Sequence, residues 1–202
     1  MAPRTDGRKR ANNMSARLRR LYADQQKIKD EFTGHPHIDV YPLEGDPPEK
    51  YRVVYRVPGL RLDRARNRPV KIHEHSLIIY LHQSYPREKP KCVMETEVFH
   101  PNIDPSGICI GDDWAAGETI VDIIIQIGQM LQYQNYNTRS PMDPVAARWA
   151  EQNEKLLPIG DVDLYQPDVE IDFVDAQSAP QRPDARRIPA RPRHVEIDID
   201  LN

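Results

Sequence analysis

Tyr85-Pro-Arg-Glu-Lys-Pro-Lys-Cys-Val-Met-Glu-Thr-Glu-Val-Phe-His100-Pro-Asn-Ile-Asp-Pro-Ser-Gly-Ile-Cys109 is the stretch on which the reading of this chain turns. It sets a cysteine directly behind a loop rich in Pro, Asn and Gly, with the tripeptide His100-Pro101-Asn102 shortly upstream. Within it, Lys91-Cys-Val-Met-Glu-Thr96 reads as a strand. Asp112, Asp113 and Trp114 follow the cysteine. Thr119 then opens a helix, with Asp122 three residues on completing a capping-box pattern. Ile120, Ile123, Ile124, Ile127, Met130 and Leu131 give that helix a broad apolar stripe.

Upstream, Met14, Leu18, Leu21, Tyr22, Gln25, Ile28 and Phe32 recur at helical spacing, predicting a helix from Ser15 to a stop at Thr33-Gly34. Arg17, Arg19 and Arg20 fall on its other face. Three strands follow: short Ile38–Tyr41, Tyr51–Val57 ending at Pro58-Gly59, and Lys71–Leu81. With Lys91–Thr96 they make a sequential run joined by short turns, as in an antiparallel meander. Downstream, a turn-rich segment from Asn135 to Pro144 leads to a last helix over 145–157, stopped by Pro158. The expected architecture is α+β over residues 14–158. Residues 1–13 read as a flexible basic start, without the apolar core of a secretory signal. Residues 159–202 read as a largely disordered tail, acidic, then Pro/Arg-rich, then acidic again. Two of its pieces, Val169–Phe173 and Val195–Ile199, alternate apolar and acidic residues and suit addition to a partner's sheet edge.

The 202 residues carry a net charge of -3, so no overall basic field points to nucleic acid. A hydrophobic content of 39% and a mean hydropathy of -0.72 fit a soluble chain. No apolar run reaches the ~20 residues of a membrane span. Two cysteines, Cys92 and Cys109, are too few for a disulfide framework and fit a reducing, cytoplasmic setting. Cys92, inside a strand, reads as a small buried hydrophobe. Neither the His73/His75 pair nor the His35/His37 pair has the further ligands of a metal site. There is no phosphate-cradling glycine loop, so no cofactor is expected.

Taken together, the order helix, four strands, Tyr-Pro, Pro-Lys, His-Pro-Asn, cysteine loop, tryptophan and helix resembles the ubiquitin-conjugating enzyme family over about 70% of the chain. Trp114-Ala-Ala-Gly-Glu-Thr119-Ile is similar to the family's Trp-Ser-Pro-Ala-Leu-Thr-Ile, and Met142-Asp143-Pro144-Val145 to its Asp-Asp-Pro-Leu gate. The loop from Cys109 to Trp114 is shorter than usual. Arg87 and Ala115-Ala116 stand where many members present a ligase-docking surface. These departures resemble divergent bacterial relatives encoded beside a ubiquitin-like protein and an activating enzyme, some of them in anti-phage defence.

The resemblance implies that Cys109 carries a ubiquitin-like modifier as a thioester and passes it to an acceptor amine or hydroxyl. It implies that Asn102 offers its amide to the oxyanion, or to the loop that shapes the site. His100 sets the turn that aims Asn102. Asp143, Asp112 and Asp113 are the candidate carboxylates that orient or deprotonate the acceptor. The helix face bearing Arg17, Arg19 and Arg20 would meet the activating enzyme. Two rivals stand beside this reading. One is an inactive binding module of the same fold. The other is a cysteine hydrolase, which needs a histidine base, and His100 is the nearest by sequence.

Overall fold

A computed structural model describes residues 14–111, 114–115 and 117–165. The basic N-terminus, the Asp112-Asp113 pair and both alternating tail motifs lie outside the described residues.

Helix α1 spans Ala16–Phe32 and starts where Ser15 caps it, its Oγ accepting from the Leu18 amide at 3.1 Å. Leu21, Ile28 and Phe32 enter the core as their spacing requires. The buried face also holds a carboxylate, Asp24, while Tyr22 lies outside at 42% exposure. The arginines do not form the exposed basic face expected of them. Arg17 turns back to Glu49 at 3.0 Å and to the Leu81 carbonyl at 2.8 Å. Arg20 grips Asp24 at 2.9 and 3.0 Å. Arg19 is the exposed one of the three.

Strands β1 (Ile38–Gly45), β2 (Pro48–Tyr55), β5 (His75–Tyr80) and β6 (Lys91–Met94) form an antiparallel sheet in the order β1-β2-β5-β6. This is the expected four-stranded meander, with one correction. The single strand expected over Lys71–Leu81 is broken after Ile72. Its first part, β4 (Arg68–Ile72), pairs instead with β3 (Gly59–Asp63) in a separate hairpin inserted between β2 and β5. His73 and His75 therefore do not share a strand face. His73 is exposed, whereas His75 is buried with Nε2 3.2 Å from the Val57 carbonyl, and burial pulls it down to about 4.

Pleating sends Tyr51, Val53, Tyr55, Leu77, Ile79 and Cys92 to one side of the sheet. Helix α2 (Ile120–Leu131) lies in the core they line, buried at Ile120, Ile123, Ile124, Ile125, Ile127, Met130 and Leu131. Its capping box forms, with Thr119 and Asp122 bonding reciprocally. The Tyr55 hydroxyl donates to the Ile124 carbonyl at 2.8 Å, tying sheet to helix. Gly128 permits that approach, since a Cβ there would strike Leu164 and Tyr55. Leu164, at 1% exposure, belongs to this core, which therefore continues past the boundary expected at Pro158.

A second cluster, including Leu60, Phe99, Tyr133, Ala146 and Ala150, joins the β3–β4 hairpin to helix α3 (Pro144–Gln152). The helix expected over 145–157 ends earlier, at Gln152, and a 3-10 turn over Glu154–Leu156 takes its place.

Candidate functional site

The site grows from the segment after Phe99. His100 is fully buried, and its Nδ1 accepts from the Asn102 amide at 3.1 Å. Ile103–Asp104 (β7) then pairs with Gly107–Ile108 (β8) in a two-residue-wide hairpin. Its turn is an Asx motif in which Asp104 Oδ1 accepts from the Ser106 amide at 2.7 Å and the Gly107 amide at 3.2 Å. The Ser106 hydroxyl and these amides hold the Asp104 carboxyl below its usual range.

Cys109 is the first residue past β8, and its amide donates to the Asn102 carbonyl at 3.0 Å. The next two residues are held as well. Gln126 of α2 donates to the Ile110 carbonyl at 3.1 Å, and Lys89 to the Gly111 carbonyl at 2.7 Å. The backbone that carries the thiol is thus fixed from three sides, while the side chain keeps partial exposure.

That thiol opens on a cleft of about 860 Å³ whose walls include Trp114, Met142 and the loop from Arg87 to Lys91. Trp114 is held by its indole N–H, which donates to the Pro86 carbonyl at 2.8 Å, and by Tyr85, whose ring centroid is 6.1 Å away. Tyr85 in turn donates its hydroxyl to the buried Asp24 at 2.7 Å, and Arg20 lies over its ring. Burial raises the Asp24 carboxyl despite Tyr85 and Arg20, which favour its charged form. A carboxylate on α1 therefore props one wall of the cleft. The α1 spacing located Gln25 rather than Asp24 on the inward face. The polar side chain is inward because its partners come from elsewhere in the chain.

Cys92 lines the same cleft from β6 but is buried, and burial pushes its thiol up to about 12. It behaves as the buried hydrophobe its strand position indicated.

The other expected site residues divide. Asn102, 5% exposed, spends its carboxamide on the loop after α2. Oδ1 accepts from the Asn137 amide at 2.7 Å, and Nδ2 donates to the carbonyls of Asn137 at 2.9 Å and Ser140 at 3.4 Å. Of the two destinations considered for that amide, the geometry displays the loop. Met142 and Asp143 donate their amides to the Pro101 carbonyl at 2.8 and 3.0 Å, which seats Met142 in the cleft.

Asp143 caps α3, its Oδ1 accepting from the amides of Val145 and Ala146 at 2.8 and 3.0 Å. It lines a neighbouring hollow with Asp104 and Phe99 rather than the Cys109 cleft. His100 is pulled down to about 3 by burial, so it is neutral, with Nδ1 occupied. It does not line the Cys109 cleft. The histidine that does, His82, has Nε2 2.9 Å from the Lys89 carbonyl and Nδ1 accepting from the Ser84 amide. Neither is thus arranged as the base a cysteine hydrolase requires. Among the described residues, no group of three or more His, Cys, Asp or Glu stands in metal-binding proximity. No described helix is long and apolar enough to cross a membrane.

Comparison with known proteins adds a second line. A family profile described as "Ubiquitin-conjugating enzyme" matches residues 67–157, the span from β4 to the end of the 3-10 turn. The chain is 35% identical over 80 residues to ubiquitin-conjugating enzyme E2 N of Macaca fascicularis, covering 38% of this chain and 49% of that protein. It is 34% identical over 73 residues to SUMO-conjugating enzyme ubc9 of Dictyostelium discoideum, covering 33% and 45%. A longer match, 29% identical over 142 residues, covers 68% of this chain and 84% of ubiquitin-conjugating enzyme E2 N of Drosophila melanogaster. The chain thus spans about half the length of the first two relatives and most of the third.

Proposed function

Because the chain belongs to the ubiquitin-conjugating enzyme family, we propose that it accepts a ubiquitin-like modifier on Cys109 and transfers it to an acceptor amine or hydroxyl. The observation that carries this reading is the setting of Cys109: a partly exposed thiol on clamped backbone, at the head of a cleft large enough for peptide chains.

In the first step the Cys109 thiolate attacks the thioester carbonyl of a loaded activating enzyme and releases that enzyme's thiolate. In the second, the acceptor attacks the new thioester, a tetrahedral oxyanion forms and collapses, and the Cys109 thiolate leaves. The acceptor's proton goes to a base or to solvent. No histidine base is needed, because the bond attacked is already activated. Asn102 serves by holding the loop over 137–143 against the segment that carries the cysteine. His100 supports that turn as a neutral acceptor. Asp143 acts through α3 and the placement of Met142. This leaves Asp112 and Asp113, three and four positions after the thiol, as the carboxylates assigned to steer the acceptor.

The partners are a ubiquitin-like modifier, an activating enzyme docking on α1 and a protein acceptor. Among the three α1 arginines, exposure favours Arg19 for that docking. The setting proposed is the cytoplasm, without a RING-type ligase bound in the usual way, since Arg87 and Ala115 depart from the residues that dock one. A bacterial anti-phage conjugation pathway fits those departures.

The test combines the full chain with ATP, a candidate modifier and its activating enzyme, and reads intact mass with and without reductant. A modifier-sized, thiol-labile increment on Cys109, absent in Cys109→Ser, is the expected result. No increment from a demonstrably loaded activating enzyme would leave the inactive binding module instead.

A further inference from the structure

Residues 59–72, strands β3 and β4 with their turn, carry five cations, Arg61, Arg64, Arg66, Arg68 and Lys71, and one acid, Asp63. That acid is spent in the turn. Its carboxylate accepts from the amides of Ala65 and Arg66 at 3.0 and 3.2 Å and from the Arg66 guanidinium at 3.1 Å. Arg64 reaches across to Glu97 at 2.7 Å. Among the described residues no ion pair engages Arg61, Arg68 or Lys71, and all three are exposed. Beside Arg61 opens a hollow of about 460 Å³ whose wall also includes Ile72, His73, Glu74, Thr96 and Glu97. With Glu74 and Glu97 added to Asp63, five cations stand against three acids, and two of those acids are already paired. None of the five cations lines the Cys109 cleft.

We propose that this hairpin is a docking surface for an extended segment of a partner protein in which apolar and acidic residues alternate. The segment's carboxylates meet Arg61 and Arg68, and one of its apolar side chains enters the hollow beside Ile72. The surface is separate from the chemistry assigned to Cys109 and does not depend on it.

Three arguments carry it. First, the ladder gathers these groups on one face. Arg61 pairs with Val70, Asp63 with Arg68 and Gly59 with Ile72. Pleating therefore sends Arg61, Arg68, Val70 and Ile72 to the side opposite Leu60 and Leu62. Arg61 and Arg68 are diagonal neighbours there, about 7–8 Å apart. Half-buried Val70 and Ile72 lie among them, so the face mixes cationic and apolar positions, the complement of an acidic and apolar segment. Second, the face is preset. Leu60 and Leu62 pack with Phe99, the Phe99 amide donates to the Leu60 carbonyl at 2.7 Å, and Asn67 takes the turn at φ 46°. Little ordering remains for a partner to impose. Repulsion between Arg61 and Arg68 works against the bare hairpin, and carboxylates set between them relieve it. Third, the charge is local. Binding nucleic acid calls for cations along several phosphates, and often for aromatic rings that stack on bases. The whole chain carries -3 and the hairpin has no aromatic residue. A short segment with two or three carboxylates matches the three unpaired cations instead, and the arginine fork suits a carboxylate.

The experiment titrates the full chain into short fluorescein-labelled peptides that alternate Val with Glu, Val with Gln, or Ser with Glu, and reads anisotropy. At low ionic strength the Val/Glu peptide is expected to bind about fivefold or more tighter than either control, its lead over Val/Gln narrowing in high salt. Arg61→Glu/Arg68→Glu removes that lead, while charging of Cys109 by a loaded activating enzyme stays unchanged. Parity of Val/Glu with either control in the unaltered chain would overturn the proposal, and so would a lead that survives the double variant. A variant that loses charging as well would place the hairpin in the transfer machinery and overturn its separate role. Arg61→Gln and Arg68→Gln, tested singly, replace the double variant if its melting temperature falls. A short labelled DNA strand that binds more tightly than Val/Glu, and is lost in the same variants, would hand the surface to nucleic acid and sink the peptide reading. Cys109→Ser is expected to bind Val/Glu as the unaltered chain does, so failure of the transferase reading is told apart from failure of this one.

Discussion

Asn102 accepts from the Cys109 amide through its backbone carbonyl, and its carboxamide holds Asn137 and Ser140. Replacing it with Ala leaves the Asn137 amide and carbonyl without these partners in a part-buried place. Such losses cost about 1–3 kcal/mol. Asn102→Ala is therefore expected to lower the urea midpoint as well as to slow discharge. An unchanged midpoint with slow discharge would restore a direct oxyanion role. The His-Pro-Asn tripeptide was legible as a site marker in the sequence, but the direction of its carboxamide was not. That direction is fixed by a loop 35 residues away, and no local pattern encodes the pairing. The same holds for Asp143. Its position before Pro144 announces turn or cap chemistry equally well as a gate, and its bonds to Val145 and Ala146 select the cap.

At the scale of elements, the caps were the most readable features, because their partners are three residues away. Thr119→Ala removes one half of a capping box and is expected to cost about 0.5–2 kcal/mol in chemical denaturation, with the Cys109 cleft left in place. The β3–β4 hairpin went unseen for the opposite reason. Arg61, Asp63, Arg64, Arg66 and Arg68 crowd its strands and turn, and Pro69 cannot donate to a ladder, so the apolar alternation is sparse. What stabilises it is tertiary: Leu60 packs with Phe99 and Tyr133. The link from α1 to the cleft wall was also unreadable, since Asp24 and Tyr85 lie 61 positions apart. Tyr85→Phe keeps the ring and removes a bond to a buried carboxylate. The expected loss is about 1–3 kcal/mol, measured by urea unfolding, and a smaller loss would mean that Arg20 alone satisfies Asp24.

Across the whole molecule, two properties follow from burial. His75 and His100 are both pulled below their ordinary range, to about 4 and about 3. Unfolded chains therefore bind protons that the fold refuses as pH falls below about 6.5, so stability is complete above that value and lost beneath it. Between pH 6 and 5 the slope approaches about 1.4 kcal/mol per unit for each histidine. A denaturation series over that window checks it, with His75→Gln expected to flatten the slope by about half. The second property is that the core does not stop with the last helix. Leu164 packs at Gly128 and Tyr55, and its carbonyl lies 3.3 Å from His35 Nε2. Leu164→Ala is expected to cost about 2–5 kcal/mol, an effect a dispensable tail would not have. Finally, the anchored indole of Trp114 gives the protein a built-in optical gauge. Of its two tryptophans, Trp149 sits in the separate cluster around α3, so Trp149→Phe leaves one emitter facing the cleft. Loading of Cys109, and each departure of its cargo, then becomes visible as a change in ultraviolet emission, with no label attached.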